Sequence, residues 1–150
     1  MGKPARILIV DDDQNIIQCT RAILEREGYL VDSAVTGREA IQKTRNAVYD
    51  IALLDIRLPD MEGTYLLKFM KNPVPRTRKI MITGYPSMKN AIKSINEKAD
   101  AYLIKPVKAE KLLNTIKEQL KQKESEREYS EVKVAAFIET RKRQLTNAPT

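Results

Sequence analysis

A chain of 150 residues, 42% of them apolar, has room for one compact domain and an appendage. Its formal charge of +7 invites a nucleic-acid reading, but residues 1–120 carry 20 basic and 15 acidic side chains and residues 121–150 carry 7 and 5, so neither part is a concentrated basic patch. The absence of histidine excludes histidine-based zinc sites, Ser-His triads and a phosphohistidine relay within the chain.

The first apolar run, Arg6-Ile7-Leu8-Ile9-Val10, is closed by Asp11, Asp12 and Asp13. It predicts a buried strand, and no run in the chain approaches the ~18 residues that span a bilayer. Neither a membrane segment nor a signal peptide is expected. Asp13 is placed to cap the helix that follows, whose apolar positions are Ile16, Cys19 and Ile23 before Gly28. Cys19, a lone cysteine, is expected as a small core residue in a reducing compartment, which makes the cytoplasm the predicted location. Leu30-Val31, continuing into Asp32 and Ser33, reads as an edge strand. A capping box, Thr36-Gly37-Arg38-Glu39, then opens a helix through Ala40, Ile41 and Thr44.

The alternation continues with strands at Ile51–Leu54, Lys79–Ile82 and Ala101–Ile104. The helices between and after them run through Leu66, Leu67 and Met70, through Met88, Ala91, Ile92 and Ile95, and through Leu112, Leu113, Ile116 and Leu120. Strand-helix repeated five times with right-handed crossovers predicts an α/β fold, an open five-stranded parallel sheet doubly wound by helices. After Leu120 the composition turns to Lys-Gln-Lys-Glu-Ser-Glu-Arg-Glu, with apolar residues returning at Tyr129, Val132, Ala135, Ala136 and Ile138. The expected organisation is therefore a domain over 1–120 and, over 121–150, a C-terminal helical extension that is a linker helix, a dimerising helix or a frayed tail, disordered from Thr146 to Thr150.

In such sheets ligands bind beyond the carboxyl ends of the strands. Asp11 and Asp12 follow the first strand, Asp55 ends the third, Thr83 the fourth and Lys105 the fifth. Each alone reads as a cap, a turn residue or a solvated charge. Together, carboxylates from two adjacent strands converge, and their repulsion demands a cation; hard oxygen ligands favour Mg²⁺ or Mn²⁺ over zinc. A carboxylate nucleophile, a metal, a hydroxyl and an ammonium supply what phosphoryl transfer needs, and Gly84 leaves space for the group to approach the backbone.

The segments Ile9-Val10-Asp11-Asp12-Asp13, Leu54-Asp55-Ile56-Arg57-Leu58-Pro59-Asp60-Met61-Glu62-Gly63, Met81-Ile82-Thr83-Gly84-Tyr85-Pro86 and Tyr102-Leu103-Ile104-Lys105-Pro106 are similar to the receiver domains of bacterial and archaeal response regulators, over residues 5 to about 120. The resemblance implies a flavodoxin-like (βα)5 fold and a phospho-acceptor switch of a two-component phosphorelay. Asp55 would take a phosphoryl group from a partner histidine kinase or phosphotransfer protein, and the module would catalyse only its own phosphorylation and dephosphorylation. Asp11, Asp12, Asp55 and the backbone carbonyl of Arg57 would hold Mg²⁺, and Lys105 would pair with the acyl phosphate. Thr83 and Tyr102 would relay the change to an output partner, with Gly84, Tyr85 and Pro106 at the pocket rim and a cis Lys105–Pro106 peptide. Arg57 and Tyr85 stand where side chains can screen the acyl phosphate from water. Where the family usually has glycine, Lys98 precedes Ala99, so a differently shaped end to the fourth helix is expected. The Pro59–Gly63 segment reads as the loop that positions the third helix, with Gly63 easing a bend.

Two other functions use the same residues. An aspartyl-phosphate phosphohydrolase would want a second acid two residues after its nucleophile, where this chain has Arg57, and a substrate-covering cap. A DNA-binding regulator would need more than residues 121–150 for a helix-turn-helix with its own core, so that reading implies the receiver part of a longer transcriptional regulator.

Overall fold

The computed structural model describes residues 2–70 and 76–146. Strands β1 (Arg6–Val10), β2 (Leu30–Ala34), β3 (Ile51–Asp55), β4 (Arg78–Thr83) and β5 (Ala101–Ile104) alternate with helices α1 (Gln14–Arg26), α2 (Gly37–Asn46), α3 (Gly63–Phe69), α4 (Met88–Asn96) and α5 (Ala109–Thr146). All pairings are parallel, in the order β2-β1-β3-β4-β5, so the polar-sided β2 is indeed an edge. The chain divides into two units, Met1–Leu120 and Lys121–Thr150. The disorder expected from Thr146 onward falls, but for Thr146 itself at the end of α5, outside the described residues.

In the first unit the two faces of the sheet make two cores. Ile7, Ile9, Ile51 and Leu53 point to one face, where Ile17 and Leu24 of α1 and Leu112 and Ile116 of α5 cover them. Leu8, Val10, Ala52 and Leu54 point to the other, against Ala40 of α2 and Leu66 and Leu67 of α3. This period-two division is why the central strands read as unbroken apolar runs.

Local signals act largely as expected. Asp13 Oδ1 accepts the N–H groups of Asn15 at 2.9 Å and Ile16 at 3.3 Å. Thr36 Oγ1 accepts Glu39 N–H at 3.1 Å, but the returning Glu39 carboxylate takes Val35 N–H, one residue before the cap. Asp60 adds to that helix start by accepting Gly37 N–H at 2.8 Å and Arg38 N–H at 3.0 Å. A carboxylate at a helix N-terminus meets orphan donors and the positive end of the dipole, which holds the Asp60 carboxyl below its ordinary range.

Three expectations need correction. Cys19 is exposed, not in the core, because α1 buries Ile17 and Leu24, one residue out of phase with the Ile16-Cys19-Ile23 stripe. That stripe instead lines a cavity of about 350 Å³ facing Ile9, Leu53, Pro106 and Leu112. The end of α4 keeps a glycine-like shape despite Lys98, which takes φ 64° while its N–H and that of Ala99 reach back to Ile95 O at 3.0 Å and Ser94 O at 2.8 Å. This double closure is the left-handed helix stop that glycine usually makes. Gly63, finally, eases no bend through an unusual φ; it is needed because a Cβ there would overlap the backbone carbonyl of Asp55.

Candidate functional site

The register of the sheet assembles the site. Val10 pairs with Leu54, so Asp11 and Asp55 emerge side by side; Asp55 pairs with Ile82, and Thr83 with Ile104, so Thr83 and Lys105 follow on the next strands. Lys105 Nζ donates to Asp11 Oδ2 at 2.8 Å and to Asp55 Oδ2 at 3.3 Å. Residues 44 to 94 positions apart in sequence thus share one ammonium.

Asp11 and Asp55 are buried and Asp12 is exposed beside them, and one carboxylate oxygen from each lies within 4.8 Å of the others. Three carboxylates face one ammonium. Burial, the largest influence, raises the Asp55 carboxyl above its ordinary range; the Lys105 charge opposes this and that of Asp11 adds to it. For Lys105, burial disfavours the charge, but the hydrogen bond and charge of Asp11, then those of Asp55, outweigh it and raise the ammonium above its usual range. The negative excess and the all-oxygen donor set fit a hard divalent cation. Arg57 N–H holds Asp55 Oδ1 at 3.3 Å, and the bridge between Arg57 and Glu62 is closed through the carbonyls of Ile56 and Met61, which leaves the Arg57 carbonyl out of that pair of bonds.

The acids open into a cleft of about 500 Å³ lined by Asp11, Asp12, Asp55, Lys105, Gly84 and the pair Arg57–Tyr85. The Arg57 guanidinium stacks on the Tyr85 ring at 3.9 Å, a cation–π contact that sets two large side chains together at the cleft. Thr83 is fully buried beneath it, its Oγ1 accepting Tyr85 N–H at 2.9 Å. Pro106 follows Lys105 through a cis peptide and lines the neighbouring apolar cavity rather than the acidic cleft. Tyr102 is half-buried against the core under α2 and α3, with its hydroxyl buried and without a hydrogen-bond partner.

Sequence reasoning missed two contributors. Gly63 presses on the Asp55 backbone, its N–H bonded to Ile56 O at 2.6 Å. Asp60 ties the loop after β3 to the start of α2. Both stand in the segment Pro59 to Gly63, but only coordinates reveal across-space partners of this kind.

The family model described as the response regulator receiver domain matches residues 7–117. The transcriptional regulatory protein ZraR of Klebsiella oxytoca is 37% identical over 119 residues, which are 79% of this chain and 27% of that protein. DltR of Streptococcus agalactiae, another transcriptional regulatory protein, is 32% identical over 75% of this chain and 50% of its own length. The chain therefore spans from about a quarter to a half of such curated relatives. Among solved structures, a CheY-like receiver domain protein from Methanospirillum hungatei JF-1 is similar with a TM-score of 0.79 and 50% identity, covering 82% of this chain and 98% of that one. A beryllofluoride-activated NtrC4 receiver domain dimer gives 0.74 and 38%, over 79% and 98%.

Proposed function

Because the chain belongs to the response regulator receiver domain family, we propose that it is a phospho-acceptor switch whose phosphorylated residue is Asp55. What carries the reading is the sharing of Lys105 Nζ by Asp55 and Asp11 in a cleft where three carboxylates outnumber one ammonium. An Asp55 oxygen attacks the phosphorus of a phosphohistidine on a partner kinase or phosphotransfer protein; a P–O bond forms as the donor's P–N bond breaks. Lys105 offers its ammonium to the incoming phosphoryl oxygens. Asp11, Asp12, Asp55 and the Arg57 carbonyl are the ligands that would hold Mg²⁺, or Mn²⁺ in its place. That ion supplies positive charge to equatorial oxygens when bound.

Thr83 and Tyr102 carry the change outward. The Thr83 hydroxyl, whose oxygen accepts Tyr85 N–H, has its own O–H to donate to the phosphate, and Tyr102 holds a free hydroxyl behind it. Phosphorylation thereby favours one of two surface arrangements, read by an output partner. The stacked Arg57 and Tyr85 shield the acyl phosphate from water, so Arg57→Ala with Tyr85→Ala changes its lifetime; equal dephosphorylation rates in the two proteins would reject the shield.

The test of the main reading is incubation with Mg²⁺ and acetyl phosphate or phosphoramidate, followed by intact-mass measurement. A gain of one phosphoryl group, absent from Asp55→Asn, is expected, and the same gain in the variant would remove Asp55 from the role. Continued release of phosphate from a phosphomonoester would favour a phosphohydrolase instead. A second reading, the receiver part of a longer DNA-binding transcriptional regulator, draws on the relatives being transcriptional regulatory proteins of which this chain spans a part. No helix among the described residues is long and apolar enough to cross a membrane, and the cytoplasm is the proposed location.

A further inference from the structure

Strand β2 is an edge, and the hydrogen bonds on its inner side reveal which backbone groups face outward. Leu30 N–H reaches Ala5 O at 3.0 Å and Asp11 N–H reaches Ala34 O at 3.1 Å, so Leu30, Asp32 and Ala34 face β1. The peptide groups of Val31 and Ser33, and the N–H of Val35 beyond them, therefore face away from the sheet. Such a row is a template on which another strand can pair, and edge strands commonly block it with lysine or proline. Leu30-Val31-Asp32-Ser33-Ala34 has neither, and its one charged side chain, Asp32, is engaged by the Tyr49 hydroxyl at 2.7 Å and by Arg6 at 3.8 Å.

The block comes instead from α1 and α2, which cover opposite faces of the sheet. Arg21 of α1 donates from Nη1 to Val31 O at 2.7 Å and from Nη2 to Ser33 Oγ at 3.1 Å. Lys43 of α2 donates from Nζ to Ser33 O, and Glu39, held to Lys43 at 3.3 Å, accepts Val35 N–H at 3.1 Å. Both outward carbonyls of the strand are thus taken by cations that the N–H groups of an incoming strand would have to displace. Hydrogen bonds from charged donors are about twice as strong as neutral ones, so the exchange is unfavourable. Covering apolar surface accounts for the aliphatic stems of Arg21 and Lys43, but not for two cationic heads ending on both outward carbonyls of one strand.

We infer that Arg21, Lys43 and Glu39 form an edge guard, which keeps β2 of a second copy from pairing with β2 and continuing the sheet. That pair would run antiparallel about a two-fold axis at Asp32, with Val31 of each copy against Ser33 of the other. The same axis would set Asp32 on itself, a second deterrent. The guard is therefore tested in full chains that carry Asp32→Asn, a side chain whose carbonyl oxygen can still accept the Tyr49 hydroxyl.

In this parent, Arg21→Met with Lys43→Met removes the cationic donors while keeping long side chains. Sedimentation should show self-association about tenfold or more tighter than in the parent. At concentrations where pairs form, the Val31 and Ser33 amides should exchange with solvent about tenfold or more slowly, as read by NMR. Adding Ser33→Pro, whose missing N–H would have faced away from β1, should restore the parent's sedimentation. Arg21→Lys with Lys43→Arg, which keeps cationic donors, should sediment as the parent does. A merely steadying role for these side chains would lower the urea midpoint and leave association unmoved. Unchanged sedimentation and fast amides in the double Met variant overturn the guard, as does association that survives Ser33→Pro. Should the double variant fail to fold, Lys43→Met alone, with the Ser33 carbonyl released, is read against the same two outcomes.

Discussion

Both ends of the sheet bury charge, but they treat it differently. At the amino-terminal ends of β4 and β5, Asp100 accepts Lys79 N–H at 2.8 Å and meets Arg76 and, at 3.6 Å, Arg78. Arg78 Nε donates to Gln119 at 3.0 Å, and the Lys79 ammonium to Met70 O at 3.3 Å. Each charged side chain of this cluster meets a group of the same chain, although Arg76 Nε is itself buried without a hydrogen-bond partner. At the carboxyl ends, Asp11 and Asp55 share one lysine with Asp12 beside them, and the three keep negative charge to spare. Buried charge that is satisfied within the chain holds structure; buried charge left in excess awaits a ligand.

The contrast can be broken at its satisfied end first. Asp100→Asn removes the partner of two buried or half-buried arginines and should cost about 3 kcal/mol in urea unfolding while leaving phosphoryl uptake per folded molecule intact. An unchanged midpoint would show that this cluster does not hold the fold. Next in size, Gly63→Ala forces a methyl group into the Asp55 carbonyl and should cost about 2 kcal/mol and slow phosphorylation as well, a double effect that Asp100→Asn should lack.

At the unsatisfied end, Mg²⁺ at tenfold excess over its dissociation constant should raise stability by about 1.4 kcal/mol, reversed by a chelator and reduced in Asp55→Asn. A wild-type protein indifferent to Mg²⁺ would erase the difference between the ends. The smallest effect sharpens the comparison: Asp60 is a carboxylate at the carboxyl end that has partners. Its carboxyl is held below the ordinary value, so the unfolded chain binds the proton more readily. Its contribution is present above the ordinary carboxylate range and is lost as pH falls through the depressed folded value. Asp60→Asn should therefore cost about 0.5 kcal/mol at neutral pH, limited by exposure to solvent, with the gap closing in acid.

The sheet, its edge strand and the convergence of Asp11, Asp12, Asp55, Thr83 and Lys105 were legible because strand periodicity fixes where each run ends, and parallel register brings those ends together. Helix phase was less legible. α1 carries two apolar stripes one residue apart, and only membership of the buried cluster that holds Ile7 and Ile51 decides that Ile17 and Leu24 form the packed one. Arg78 and Lys79 lie in β4 as buried residues, although their types predict exposure, because Asp100, Gln119 and Met70 await them from elsewhere in the chain. The roles of Asp60 and Gly63 depend likewise on distant backbone that no local pattern encodes.

Lys98 turns the stop of α4 with a left-handed backbone that suits a residue without a Cβ. An L side chain held there costs about 1 kcal/mol. In a chain of this length, that equals about 3 °C of melting temperature. The joint leading into β5 and Tyr102 is thus a place where the molecule has forgone heat resistance that a single glycine could restore.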